Sequence, residues 1–237
     1  MSKIDFDLPP QVEIRCFDSA DDACTALSEK IESIITDAVK EQKEASIALS
    51  GGSTPVPMLQ ALSKKKLPWD KLTVALVDDR WVPPSHKDSN EALVTKYLLD
   101  NNAKKAEFIG FWKEGTDAFS AETECNAKLT TRLPDMLDCV VLGMGNDGHT
   151  ASLFPEAPQL SHALNTKAAC CLTTPMTAPH DRMTMSATRL LSSKHRFLHL
   201  KGEDKLETLK SAISDTDITS MPIRLFLNHP LTIFWSP

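Results

Sequence analysis

Residues Leu137-Asp138-Cys139-Val140-Val141-Leu142 run directly into Gly143-Met144-Gly145-Asn146-Asp147-Gly148-His149-Thr150-Ala151-Ser152. The first six are mostly apolar, as expected of a strand buried on both faces of a parallel sheet. The next ten form a glycine-rich turn, which such a strand delivers to the ligand edge of an α/β sheet. The literal pattern is G-x-G-x-x-G, but it does not read as a dinucleotide site. His149 and then Pro155 follow the third glycine where an apolar helical face is needed. No acid stands at the spacing that a ribose requires, Glu156 being too near and Asp181 too far. What remains is a tight loop of backbone amides presenting one carboxylate, Asp147, and one imidazole, His149.

Working outward, strand-like and helix-like segments alternate along the chain. Val12 to Phe17 alternates as a strand, and a long amphipathic helix follows from an N-cap at Ser19, with Ala23, Leu27, Ile31, Ile34, Ile35 and Ala38 on one face. Further strands are expected at Ser46 to Leu49, Leu72 to Val77, Ala168 to Thr173, Met183 to Ser186, Arg196 to Leu200 and Thr232 to Trp235, the last closing the sheet. Helices are expected at Asn90 to Leu99, Asp117 to Leu133 and from about Lys205 to Ile213, with another opening at Pro55. This alternation predicts one α/β domain over residues 1–237, a mainly parallel sheet flanked by helices. In such a sheet the polar loops near residues 51, 80, 147 and 205 all follow strand ends and gather along one edge.

Composition narrows the function classes. Of 237 residues, 41% are hydrophobic, enough for a substantial core. Twenty-six basic and 32 acidic residues leave a net charge of −6, which argues against a general polyanion binder. Nine Phe, four Trp and one Tyr are too few for a base-stacking surface, so nucleic acid is not an expected partner. Six cysteines at 16, 24, 125, 139, 170 and 171 include no C-x-x-C pair and read as reduced core thiols. The absence of a leader pattern and of an apolar run of transmembrane length predicts a cytoplasmic protein without membrane partners. No combination of His, Cys and carboxylates shows a metal-ligand spacing, so neither metal nor cofactor is expected. The sequence carries no signal for oligomeric state.

Ser50-Gly51-Gly52-Ser53-Thr54-Pro55 has the makings of a phosphate cradle, glycine amides approaching an anion ahead of a helix N-terminus. Its alternative is a plain tight turn with Thr54 as helix cap. Arg80, following Asp78 and Asp79, is placed either to fork onto an oxyanion or phosphate, or to pair with those carboxylates and stiffen the turn. His149 is the general-base candidate because an imidazole titrates close to neutral pH. Asp147 serves either to fix its tautomer or to brace the loop amides. Arg182, in Pro179-His180-Asp181-Arg182-Met183-Thr184, and Lys205 are further cationic candidates. His86, His162, His195, His199 and His229 carry no such setting and read as structural or solvated.

In this order, Leu49 to Pro55, Asp78 to Pro83 with Ser89-Asn90, Gly143 to Pro155, Pro179 to Thr184 and Gly202 to Lys205 together resemble the 6-phosphogluconolactonase family over nearly the whole chain. The resemblance implies a single α/β domain of the glucosamine-6-phosphate deaminase and ribose-5-phosphate isomerase type. It also implies hydrolysis of 6-phospho-D-glucono-1,5-lactone, a small phosphorylated sugar lactone, to 6-phosphogluconate. On that reading His149 activates water, Asp147 and Arg80 support it, and Gly51, Gly52, Ser53, Thr54, Arg80, Arg182 and Lys205 hold substrate. For an activated ester, a base and an oxyanion donor suffice without metal or covalent nucleophile. Asp181 departs from the family form, and if it pairs with Arg182 that arginine loses some of its claim. The deaminase/isomerase branch expects a carboxylate in an Asn-Glu-Pro segment, where this chain has Leu153-Phe154-Pro155. A sugar-phosphate sensor of the same fold would leave His149 without a purpose.

Overall fold

The computed structural model describes residues 5–237; the single-domain expectation for 1–237 therefore includes four residues outside the described ones. The elements are β1 (Val12–Cys16), α1 (Ala20–Gln42), β2 (Ala45–Leu49), α2 (Val56–Ser63), β3 (Leu72–Leu76), β4 (Asp78–Arg80), α3 (Asn90–Tyr97), β5 (Glu107–Ile109), α4 (Ala118–Arg132) and β6 (Leu137–Leu142). They continue with α5 (Leu160–Asn165), β7 (Cys170–Thr173), β8 (Arg182–Met185), α6 (Ala187–Leu191), β9 (Ser193–Lys201), α7 (Glu203–Ile213), α8 (Ile223–Leu227) and β10 (Leu231–Ser236).

Local chemistry sets the helix ends. The Ser19 side chain accepts from Asp22 N at 3.1 Å and opens α1, which Lys43 ends in the left-handed region at φ 72°. Ser89 and Asp117 cap α3 and α4 in the same way. The α1 stripe of Ala23, Leu27, Ile31, Ile34, Ile35 and Ala38 is buried, as its spacing predicts.

Seven strands form a parallel sheet in the order β1-β10-β9-β6-β2-β3-β5. All residues of β2 and β6, near its centre, are buried. The chain moves from β2 through β3 to β5, then returns to place β6 on the other side of β2. The connections reverse direction between β2 and β6, and the loops leaving those two strands open a crevice where parallel sheets bind ligands. Ser50 seams this crevice: its hydroxyl donates to Val141 O at 2.9 Å and accepts from Gly143 N at 3.2 Å.

Three expectations are revised. Ala168 to Thr173 and Met183 to Ser186 supply β7 and β8, which do not join the main sheet. They form a separate antiparallel sheet in the order β4-β8-β7. Asp78–Arg80, read as a loop, is the third strand of that sheet. Only Val77 separates it from β3, and Val77 O accepts from Met185 N at 2.7 Å, so the chain transfers from one sheet to the other without a turn. Finally, β10 closes the sheet from within, between β1 and β9; the edges are β1 and β5. The three-residue β5 is too short to show a sequence period.

Asp79 ties β4 to α3. Its carboxylate accepts from Asn90 N at 2.7 Å, Glu91 N at 2.9 Å and Arg80 N at 2.7 Å. Burial nevertheless dominates and lifts its pKa to about 6, against the pull of those amides. Asp79→Ala strands these donors and is expected to destabilise the fold by about 1–3 kcal/mol near pH 4. The folded protein holds the Asp79 proton more tightly than the unfolded chain does. Its stabilising contribution is therefore fullest below 3.8 and fades as pH rises through about 6. Urea midpoints of wild type and variant should lie furthest apart near pH 4 and converge towards neutrality.

Candidate active site

The turn after β6 holds His149 by four contacts. An Asp147 carboxylate oxygen accepts from the His149 ring at 2.5 Å and from His149 N at 3.1 Å. Gly145 N donates to His149 O at 2.9 Å, and the imidazole stacks on Phe154 with centroids 4.0 Å apart and planes 24° from parallel. Asp147 thus does both jobs left open by the sequence, orienting the ring and bracing the loop. Burial pushes its pKa up, but the hydrogen bond and charge of His149 with the loop amides outweigh this and hold it below the usual value. An ionised carboxylate only accepts, so Nδ1 carries the hydrogen and Nε2 keeps the lone pair of the neutral ring.

Two glycines are required here. A Cβ on Gly145 would lie 2.2 Å from both Nδ1 and Cε1 of His149. Gly148 has φ +76°, and its Cβ would meet Met221 at 2.7 Å. Behind the turn, Ile223 N donates to Gly148 O at 2.9 Å, so α8 backs the loop.

The small sheet supplies the cations. Arg80 and Arg182 are directly opposed across β4 and β8. Among the described residues neither forms an ion pair with an acid, as the sequence had allowed. Arg80 Nη1 donates to Asp88 O at 2.6 Å and to Asn90 Oδ1 at 3.3 Å, while Asp78 accepts from the Ser152 hydroxyl at 2.5 Å. Arg182 donates to Pro179 O at 3.1 Å and lies over the Phe154 ring at 5.6 Å. Asp181 accepts from the Thr174 hydroxyl at 2.8 Å, which frees Arg182 from the departure noted in the sequence. The Nε atoms of both arginines are buried with no hydrogen-bond partner among the described residues. Arg182 is 5% exposed, and burial first, then the nearby Arg80 charge, lower its pKa. Like charges opposed in a sheet disfavour the fold, and an anion between them offsets that cost.

A cavity of about 600 Å³ brings Gly51, Gly52, Ser53, Thr54, Arg80, His149, Arg182 and Lys205 onto one wall-to-wall surface. Asp147 stands behind His149 rather than in the lining. Pro55, not Thr54, is the N-cap of α2, and no side chain caps that end, so the Thr54-cap alternative falls away. Lys205 Nζ donates to Asn146 Oδ1, one residue before Asp147.

The sequence reading missed several wall residues. Asn90 receives Arg80 and donates to Asp78 O at 2.9 Å; the resemblance took in Ser89-Asn90 but gave Asn90 no role. Phe154 was weighed only as the absence of an acid. His199 also lines the cavity, buried 3.8 Å from Cys24 Sγ, and burial lowers its pKa to about 4, so it is neutral. All six cysteines are free.

A family model described as glucosamine-6-phosphate isomerases/6-phosphogluconolactonase matches residues 18–235. The chain belongs to the glucosamine-6-phosphate isomerase/6-phosphogluconolactonase family. Within it, a 6-phosphogluconolactonase from Pseudomonas aeruginosa is 41% identical over 234 residues, covering 97% of each chain. The crystal structure of a 6-phosphogluconolactonase from Shewanella baltica superposes with a TM-score of 0.94 at 39% identity, covering 98% of this chain and 100% of that one. A monomeric glucosamine-6-phosphate deaminase, covering 94% of this chain and 97% of its own, has a TM-score of 0.78 at 15% identity, a likeness of fold. No helix among the described residues is long and apolar enough to cross a membrane.

The dyad geometry is directly testable. Wild type should show a downfield, exchange-protected ring N–H resonance from His149 in proton NMR. Gly145→Ala, which drives a methyl into the ring, and Asp147→Asn should each abolish it; an unchanged resonance in Gly145→Ala contradicts the packing described.

Proposed function

We propose that this protein hydrolyses 6-phospho-D-glucono-1,5-lactone to 6-phosphogluconate, with His149 as general base. One observation carries the reading: His149, held by Asp147, and the opposed Arg80–Arg182 pair line a single cavity fit for a small phosphorylated sugar. The names of close relatives across nearly the full chain support the same activity. In the proposed step, Nε2 of His149 takes a proton from water as its oxygen attacks C1. The carbonyl becomes an oxyanion, the C1–ring-oxygen bond then breaks, and the proton passes from His149 to the departing oxygen. Asp147 stabilises the imidazolium between these events.

Arg182 shares the Phe154 ring with His149, which suits it to the oxyanion. The phosphate is assigned to the Gly51–Thr54 amides with Arg80 and Lys205. General-base catalysis contributes roughly 10²–10⁴-fold and one aimed oxyanion donor about 10²–10³-fold. The Phe154 ring covers a face of His149, in the segment where the deaminase branch is expected to place an additional acid. That favours hydrolysis over proton shuttling on a sugar carbon.

Acid release from freshly generated lactone tests the assignment. His149→Ala should lower turnover by at least about 10²-fold while 6-phosphogluconate binding is largely kept; normal turnover removes His149 from the mechanism. Lys205→Ala should weaken 6-phosphogluconate binding but barely change that of gluconate, and equal losses for both would refute the phosphate assignment.

A further inference from the structure

At the mouth of the cavity, three side chains outside the proposed chemistry converge. His86 and Asp88 lie between β4 and α3, and His180 lies on the connection between β7 and β8. His180 Nε2 is 3.3 Å from Asp88 Oδ2, His86 Nδ1 is 3.8 Å from the same oxygen, and the three ligand atoms all fall within 4.8 Å of one another. We infer that His86, Asp88 and His180 form a binding site for a divalent transition-metal ion of the zinc type, bridging two loops at the cavity mouth.

The donor set and the geometry both point there. Two imidazoles and one carboxylate suit zinc and its neighbours rather than magnesium or calcium, which prefer all-oxygen shells. Ligands at about 2.0–2.2 Å from a tetrahedral ion lie about 3.3–3.6 Å apart. The His180–Asp88 separation already meets this, and a side-chain rotation of His86 would close its side from 3.8 Å. That rotation gives up the weak contact from Asp88 N to His86 Nδ1 at 3.2 Å. The ring planes of His86 and His180 stand edge to face with centroids 5.4 Å apart, so their nitrogens converge without the rings colliding. His180 is held at φ +69°, a left-handed conformation uncommon for residues other than glycine.

Three protein ligands leave a fourth position for water or an anion. Asp88 and His180 belong to the cavity lining, so the ion would sit at its rim. Asp88 O also anchors Arg80, and Arg182 follows His180 by two residues, so occupancy would brace both arginine-bearing segments together. The sequence shows no metal spacing because His180 is 92 residues from Asp88 and only the small sheet joins them.

Zinc titration of the full chain against a chromogenic chelator is the test. It does not depend on the proposed lactonase activity. Wild type should bind one Zn²⁺ per chain at this site and melt at a higher temperature with it. His86→Ala and His180→Asn, the latter chosen because asparagine tolerates positive φ, should each weaken this binding at least about tenfold. Their metal-free melting should match wild type, and His149→Ala should bind as wild type does. Zinc binding unchanged in both rim variants, no stoichiometric binding by wild type, or binding abolished by His149→Ala instead would overturn the site.

Discussion

Two guanidinium groups face one another across a two-strand register, and much of the cavity is arranged around keeping them there. Arg80 and Arg182 occupy opposed positions on β4 and β8, each with a buried Nε that has no hydrogen-bond partner among the described residues. Left to itself, such a pair opposes folding. The surroundings hold it by other means. Asp79 points away from the cavity into the α3 amides, Asp78 takes the Ser152 hydroxyl, and the Asp88 carbonyl receives Arg80. The neighbouring acids are thus spent on the scaffold rather than on the arginines. The unmet charge is left for a ligand, consistent with a site whose stability is conceded for binding.

That arrangement also explains why the chain needs a second sheet. A strand continuing β3 in the main sheet would carry Asp78 and Arg80 into a buried parallel interior with no room for a ligand. Transfer at Val77 turns the chain over the carboxyl ends of β2 and β6 instead. Period-two alternation then places Asp78 and Arg80 on the cavity side and Asp79 on the helix side. Phe154 completes the geometry by touching both halves, stacked on His149 and lying beneath Arg182.

The parallel core was legible because its central strands are largely apolar runs that end in glycine or turn residues, and because α1 keeps a clear 3.6-residue stripe. The site residues were legible where chemistry dictates composition, as in the glycines beside His149. What stayed hidden was pairing. Asp78–Arg80 has the composition of a loop and becomes a strand only because β8 lies beside it. Likewise the sequence offered Arg80 two partners, and only the fold decides that Asp79 prefers backbone amides. Asn90 and Phe154 fell within the segments that carry the resemblance, but their roles stayed hidden, since these consist entirely of contacts made across the fold.

The Gly148–Met221 contact reaches further than its size suggests. The turn bearing the imidazole is clamped from behind by a segment more than seventy positions downstream, through the Met221 side chain and the amide of Ile223. The loop's shape therefore rests on this outside wall as well as on its own hydrogen bonds. An engineer grafting the ten residues onto another scaffold would transplant a sequence without its mould, and lineages that vary α8 must co-vary whatever fills the space above that glycine.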